Sequence, residues 1–221
     1  MAGQDPVLEA ARTAIAESAR GLADLATGVD ESFARAASIL RYCRGKVVLT
    51  GAGTNALVAQ RTAHLLSVCG TPAFFIDAAD ALHGTLGALT RDDVLIAMSK
   101  GGGSADVNSF VRLAQLRHVK VIGMCSKPGA ELLRRADVPV LVPTNDAADP
   151  GGFIAMGSTL AYSAWLDAMT LVLMRAKRYP WSDVLFTHPS GAVGALGHEP
   201  DPLEPLDIPQ PALSAHTRRR R

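Results

Sequence analysis

Hydrophobic positions fall into two alternating patterns along the chain. From Val7 to about Leu25 they recur at helical spacing (Val7, Leu8, Ala11, Ile15, Ala19, Leu22) behind Pro6, and a second helix fits Glu31–Cys43. The period then changes. "KVVLT", Lys46–Thr50, is a short β-branched run that stops at glycines, and comparable runs follow at Ala73–Asp77, Asp93–Ser99, Lys120–Cys125 and Val138–Pro143. Helical spacing fills the intervals: Asn55–Val68, closed by Gly70 and Pro72, then Ser104–Arg117, then Pro128 to about Arg135. A long loop, Thr144–Gly152, precedes a strongly apolar helix from Phe153 to about Arg178.

The five runs are apolar throughout and separated by helices, as in a parallel sheet covered on both faces. The expectation is an α/β fold: a doubly wound, parallel, five-stranded sheet flanked by helices, with two leading N-terminal helices. Residues 1–197 read as a single domain. After Gly197 five prolines fall between Glu199 and Pro211 and the end is basic, so 198–221 reads as a disordered tail.

Composition narrows the function classes. Of the 221 residues 48% are hydrophobic, enough for a full core, but only 5% are aromatic, so Ala, Val and Leu must do most of the packing. A net charge of +1 gives no field that favours nucleic acid or a membrane surface, and Arg218–Arg221 reads as a solvated run. Cys43, Cys69 and Cys125 are scattered and odd in number, which suits a reducing cytoplasm and argues against a disulfide framework or a structural zinc. No stretch has the length and apolarity of a membrane span or the h-region of a signal peptide.

Chemistry concentrates at two glycine-rich loops, each between a strand and a helix. The first is "TGAGTN", with Gly53, Thr54 and Asn55; the second is "SKGGGS", with Ser99, Lys100, Gly101, Gly102 and Ser104. Open parallel sheets bind ligands beyond the carboxyl ends of their strands, and a helix N-terminus favours an anion. Two such loops in one sheet point to a phosphate held between them. "GAGTNA" also fits G-x-G-x-x-A, with Asp77 about where a dinucleotide-binding protein contacts ribose. The second loop needs no dinucleotide, and the chain left for a substrate half is short, so this reading ranks lower. His83, in "ALHGTLG", and His188, in "THPSGAVG", are candidates for proton transfer because imidazole titrates near neutrality.

The order from "KVVLTGAGTN" through "GTPAFF", "ALHGTLG" and "SKGGGS" to "HPSGAVG" resembles the sugar isomerase (SIS) domain family over roughly Arg41–Gly197, and within it the arabinose 5-phosphate isomerases and related phosphosugar isomerases. That resemblance implies a phosphosugar substrate, no metal or other cofactor, and a homodimer or homotetramer. It implies that the loop hydroxyls hold the phosphate, and that His83 and His188 belong to the pocket, His188 in a neighbouring subunit's pocket or in its own. The branch often carries a C-terminal pair of CBS domains, and regulation through these is not expected here.

The departures from the family pattern are specific. Thr54 and Asn55 stand where the isomerases commonly have Lys-Ser, Gly101 and Gly103 where they have Ser and Glu, and Ala147 where a later Glu falls. Asp146 and Asp149 are near enough to replace the lost carboxylate, and Lys100 the lost ammonium. Two expectations follow: an aldose–ketose isomerase that works through an enediol(ate), or a phosphosugar-binding module that has lost its catalytic carboxylates. A regulator with an N-terminal helix-turn-helix is discounted, because the two leading helices carry few Lys or Arg.

Overall fold

A computed structural model describes residues 5–211. Helix α1 (Pro6–Thr27) starts behind Asp5, whose carboxylate accepts from Val7 N, and α2 (Glu31–Arg41) starts behind Asp30, which accepts from Ser32 N. Then strands and helices alternate: β1 (Val47–Gly51), α3 (Thr54–Val68), β2 (Ala73–Phe75), α4 (Ala78–Leu82), β3 (Val94–Met98), α5 (Ala105–Leu116), β4 (Lys120–Cys125), α6 (Glu131–Arg135) and β5 (Val138–Leu141). Helices α7 (Gly157–Lys177) and α8 (Trp181–Phe186) follow.

All five strands are parallel, in the order β2-β1-β3-β4-β5, with Val47 opposite both Ala73 and Val94 and Ile122 opposite Val138. Alternate side chains feed two cores. Leu49, Ile96 and Ile122 pack with α2, α3 and α7 on one face; Val48, Leu95 and Val121 pack with α4, α5 and α6 on the other. The strands are therefore apolar at nearly every position, Thr50 on β1 and Lys120 on β4 being polar exceptions, which is why the runs stand out in the sequence. At the edge where strands begin, buried Asp93 ties β1 to β3: its carboxylate accepts from Lys46 N at 2.8 Å, Lys46 Nζ at 2.8 Å and Thr90 N at 2.7 Å.

The fold class is as expected, and the local differences have physical reasons. Strand β2 stops at Phe75 because Asp77 leaves the sheet to cap α4, accepting from Ala79 N at 2.8 Å. That bond commits one oxygen of the carboxylate that a dinucleotide reading needs for ribose to the start of α4. Helix α7 starts at Gly157 rather than Phe153, because Gly151 and Gly152 turn the chain with φ of 67° and 76°. Residues 198–211, expected as part of a disordered tail, run back along the molecule and are held by side chains of α2, α7 and α8. Arg218–Arg221 lie outside the described residues. Among the described residues no helix is long and apolar enough to cross a membrane.

Candidate functional site

The strand order reverses between β1 and β3, and the two glycine loops leave the sheet there side by side. Such a switch point opens a crevice beyond the strand ends. Gly51 lets α3 come close: a Cβ there would stand 2.8 Å from the Asn55 carbonyl. Helix α3 opens at Gly53 and α5 at Ser104, and neither of these residues caps its helix with a side chain. The N-terminal amides and dipoles of a 15-residue and a 12-residue helix thus face the edge where the crevice lies.

Of the three consecutive glycines, one is demanded by the backbone. Gly102 has a φ of 65°, and a Cβ there would meet Ala130 Cβ at 2.4 Å and Cys125 Sγ at 3.0 Å. Around Gly101 and Gly103 a Cβ would meet nothing within 4 Å. The loop therefore has room for the Ser and Glu of the resembling isomerases and simply does not carry them. Thr54 is exposed and Ser104 half-buried, while Ser99 is buried with its amide bonded to Met124 O at 3.1 Å.

Three further polar groups belong to this edge. Thr50 Oγ1 at the end of β1, Asn55 Oδ1 in the first turn of α3 and Ser158 Oγ in the first turn of α7 are buried without a protein hydrogen-bond partner. Buried polar atoms are seldom left unpaired, so these are groups that a ligand hydroxyl or phosphate oxygen would satisfy. Thr50 and Ser158 were not among the candidates read from sequence. Their only sequence signal is that each immediately adjoins a glycine, Gly51 or Gly157, at an element boundary.

Lys100 and Asp149 are bound to each other. The Lys100 ammonium lies 2.7 Å from Asp149 Oδ2 and donates to Gly152 O at 2.7 Å. Asp149 Oδ1 accepts from Met156 N at 2.7 Å and Ser158 N at 3.0 Å, which caps α7. Burial pushes the Asp149 carboxyl up, but the Lys100 ammonium and the Ser158 and Met156 donors outweigh it and hold the pKa at about 2. Asp149 is thus a fixed, ionised link between the second loop and α7, and Lys100 carries a charge already matched. Asp146 and Ala147 lie exposed on the turn Asp146–Ala148, which Asn145 secures to α1 through Glu17.

The two histidines are not brought together. His83 ends α4, exposed, on the connection that follows β2 at the same edge as the loops. His188 is at the other end of the molecule. Helix α7 starts beside Lys100, and its 21 residues at about 1.5 Å each carry the chain roughly 31 Å away. Its last turn reaches the edge where the strands begin: Lys177 Nζ donates to Gly70 O at 3.2 Å and Thr71 Oγ1 at 2.7 Å, just ahead of β2. The six-residue α8 is too short to return. His188 follows it, half-buried, with Nδ1 donating to Val184 O at 2.6 Å. That bond places the proton on Nδ1 and leaves the lone pair on Nε2. Gly194 folds against it so closely that a Cβ would stand 1.9 Å from His188 O. Among the described residues no group of three or more His, Cys, Asp or Glu is placed to hold a metal.

The fold and the two loops define a doubly wound α/β protein with two helix N-termini at its switch point. The SIS domain model matches residues 39–173, and the chain belongs to that family. It is 31% identical over 186 residues to arabinose 5-phosphate isomerase KdsD of Escherichia coli, covering 84% of this chain and 57% of the relative. It is 30% identical over 191 residues to arabinose 5-phosphate isomerase GutQ of Salmonella typhi, covering 86% of this chain and 60% of the relative. The chain thus spans less than two thirds of the length of these relatives. Among solved structures it is similar to the E. coli CFT073 protein c3406 in complex with a sugar phosphate, with a TM-score of 0.81 and 25% identity over 86% of this chain and 100% of that one. It is also similar to a candidate sugar-phosphate isomerase of Listeria monocytogenes, with a TM-score of 0.78 and 29% identity over 85% of this chain and 100% of that one.

Proposed function

We propose that the protein binds a sugar phosphate between its two glycine loops and interconverts the aldose and ketose forms through an enediol(ate). The observation that carries the reading is the pair of loops at the β1/β3 switch point, each opening an uncapped helix. The phosphate lies against the amides of α3 and α5, with the hydroxyls of Thr54, Ser99 and Ser104 as donors, and the sugar extends toward Thr50, Asn55 and Ser158. The relatives named arabinose 5-phosphate isomerases support a phosphosugar of this class.

In the reaction a base removes the C2 proton of the aldose while the C1 carbonyl oxygen takes up a proton. The C2 hydroxyl of the resulting enediol then gives up its proton and C1 receives one, which leaves the ketose. The route needs no metal or nucleotide. His188 is the proposed base, through Nε2. Because α7 holds it a helix length away from the loops of its own chain, it serves the pocket of a second copy, in a homodimer or homotetramer. Apolar side chains turned to solvent fit such an assembly: Val7, Leu8 and Ile15 on α1 and Leu160 and Leu171 on α7. His83, on the loop edge, is the proposed second proton-handling group. The three free cysteines fit a reducing, cytoplasmic setting.

A second reading is favoured by Thr54, Gly103 and Ala147, and by the mutual neutralisation of Lys100 and Asp149: a phosphosugar-binding module without catalysis. Incubation with C5 to C7 sugar phosphates in D2O, followed by NMR, separates the two. Exchange at C1 or C2 is expected for the enzyme. Binding without exchange for every ligand would leave only the second reading.

A further inference from the structure

The segment that returns from the His188 loop is anchored in a regular way. Trp181 Nε1 donates to Asp201 O at 2.9 Å, Arg175 Nε to Glu204 O at 2.7 Å, Tyr42 OH to Ile208 O at 2.8 Å and Ser38 Oγ to Pro209 O at 2.7 Å. Four side chains from α8, α7 and α2 thus meet backbone carbonyls in chain order. The prolines suit this arrangement. Pro202, Pro205 and Pro209 lack amide hydrogens and hold φ fixed, so the segment offers mainly acceptors and loses little freedom on docking. At the far end Ile208 packs against the core formed by α2, α3 and α7. Between the segment and α7 lies a cleft of about 220 Å³, walled by Arg175, Tyr179, Trp181, Pro202, Leu203 and Pro205.

The residues between these anchors have little packing of their own. Val184 is buried, but Phe186, Val193 and Leu196 are 82%, 40% and 44% exposed, so past Val184 apolar burial within the chain does little to fix His188. Two things do. Locally, Gly191 N donates to His188 O at 3.2 Å and Ala195 N to Gly191 O at 3.2 Å, folding the turn against the histidine. At the base, the Trp181–Asp201 bond joins the first residue of α8 to the returning segment and closes residues 182–200 into a loop.

From this geometry we infer that residues 201–209 are a positioning strap: they close the His188 loop on the α7–α8 corner and hold the imidazole at a set place for the pocket of a second copy. Trp181, Tyr42, Ser38 and Ile208 are positioning residues, because none of them lies near the glycine loops. The inference rests on the proposed function for its catalytic half only.

Two variants release the strap from opposite ends. Trp181→Phe keeps the ring and removes one donor; Ile208→Ser removes the apolar anchor. In both, amide hydrogen exchange over residues 182–200 is expected to rise severalfold, since the exposed Trp181–Asp201 hydrogen bond and the half-buried Ile208 side chain hold the loop closed. In the sugar-phosphate assay kcat is expected to fall about tenfold or more, with KM and calorimetric affinity for the sugar phosphate within about twofold, as misplacement of a reacting group predicts. Unchanged amide exchange over 182–200 in both variants would overturn the strap itself. Parallel loss of kcat and affinity, with a lowered melting temperature, would reduce it to a structural tie and overturn positioning. If the wild-type protein exchanges no sugar proton, the function and the catalytic half fall together, while amide exchange still decides whether the strap fixes the loop.

Discussion

The two edges of the sheet are built for different tasks. The edge where strands end carries two helix N-termini, small residues, three buried polar atoms without partners and one ion pair that is already matched. In the proposed function it is the edge that holds the anion. The edge where strands begin carries the tight Asp93 tie, the end of α7 and, beyond it, His188 with its lone pair on Nε2. In the proposed function, binding and proton transfer therefore lie about 31 Å apart along α7 in one chain. On the proposed function each chain carries halves of two sites, and the loops alone need supply no acid or base.

Breaking the binding edge should give the largest effect. Gly101 has open space around it, so Gly101→Asp adds a carboxylate to the anion cradle without a packing clash. Sugar-phosphate affinity is expected to fall about a hundredfold, since juxtaposed like charges cost several kcal/mol, with an unchanged melting temperature. Calorimetry and thermal unfolding check both halves. An unchanged affinity would remove the second loop from the site.

The next effect lies in acid. Asp149 has a folded pKa of about 2 against 3.8 for the free residue, so its contribution is complete above about pH 4 and is lost as pH falls through 2. The size is about 2 kcal/mol. Denaturant titrations at pH 5 and pH 2 are expected to show that loss in the wild-type protein and to miss it in Asp149→Asn, which should be destabilised already at pH 7. An equal acid loss in both would mean that the Lys100–Asp149 link does not join the second loop to α7.

A smaller, sharper change is Gly103→Glu. The position has room for a side chain and stands where the resembling isomerases carry a carboxylate. Stability is expected to shift by less than about 1 kcal/mol, as for an exposed substitution away from packed features. In D2O the proton-exchange rate is expected to rise severalfold, and a fall would mean that this loop has diverged past the family arrangement.

Much of the fold was legible because parallel strands covered on both faces must be mainly apolar, and all five were, with Thr50 and Lys120 as polar exceptions. The short α4 and α8 were not, since five or six residues do not complete a helical period worth reading. The end of β2 is hidden in the sequence because nothing local distinguishes a strand-ending Asp77 from a helix cap. Phe153 and Ile154 draw the expected start of α7 too early; both are exposed on the loop before it. In the site, the glycine loops were readable because backbone geometry demands residues such as Gly102. The Lys100–Asp149 pair joins residues far apart in sequence, so each side chain reads as available there and is not. The strap escapes a reading by composition because prolines signal disorder, whereas its anchors are side chains of other elements meeting backbone carbonyls.

The most direct measurement is complementation between inactive copies. Gly101→Asp chains have a spoiled cradle and an intact His188; His188→Ala chains have the reverse. Each alone should be inactive in sugar-proton exchange. Mixed under conditions that let subunits exchange, they are expected to recover about a quarter of wild-type activity for a randomly reassorted dimer, because half the dimers are mixed and each of these holds one intact site. A mixture no more active than its parents, in which mixed oligomers are shown to form, would contradict a site assembled from the loops of one chain and the histidine of another.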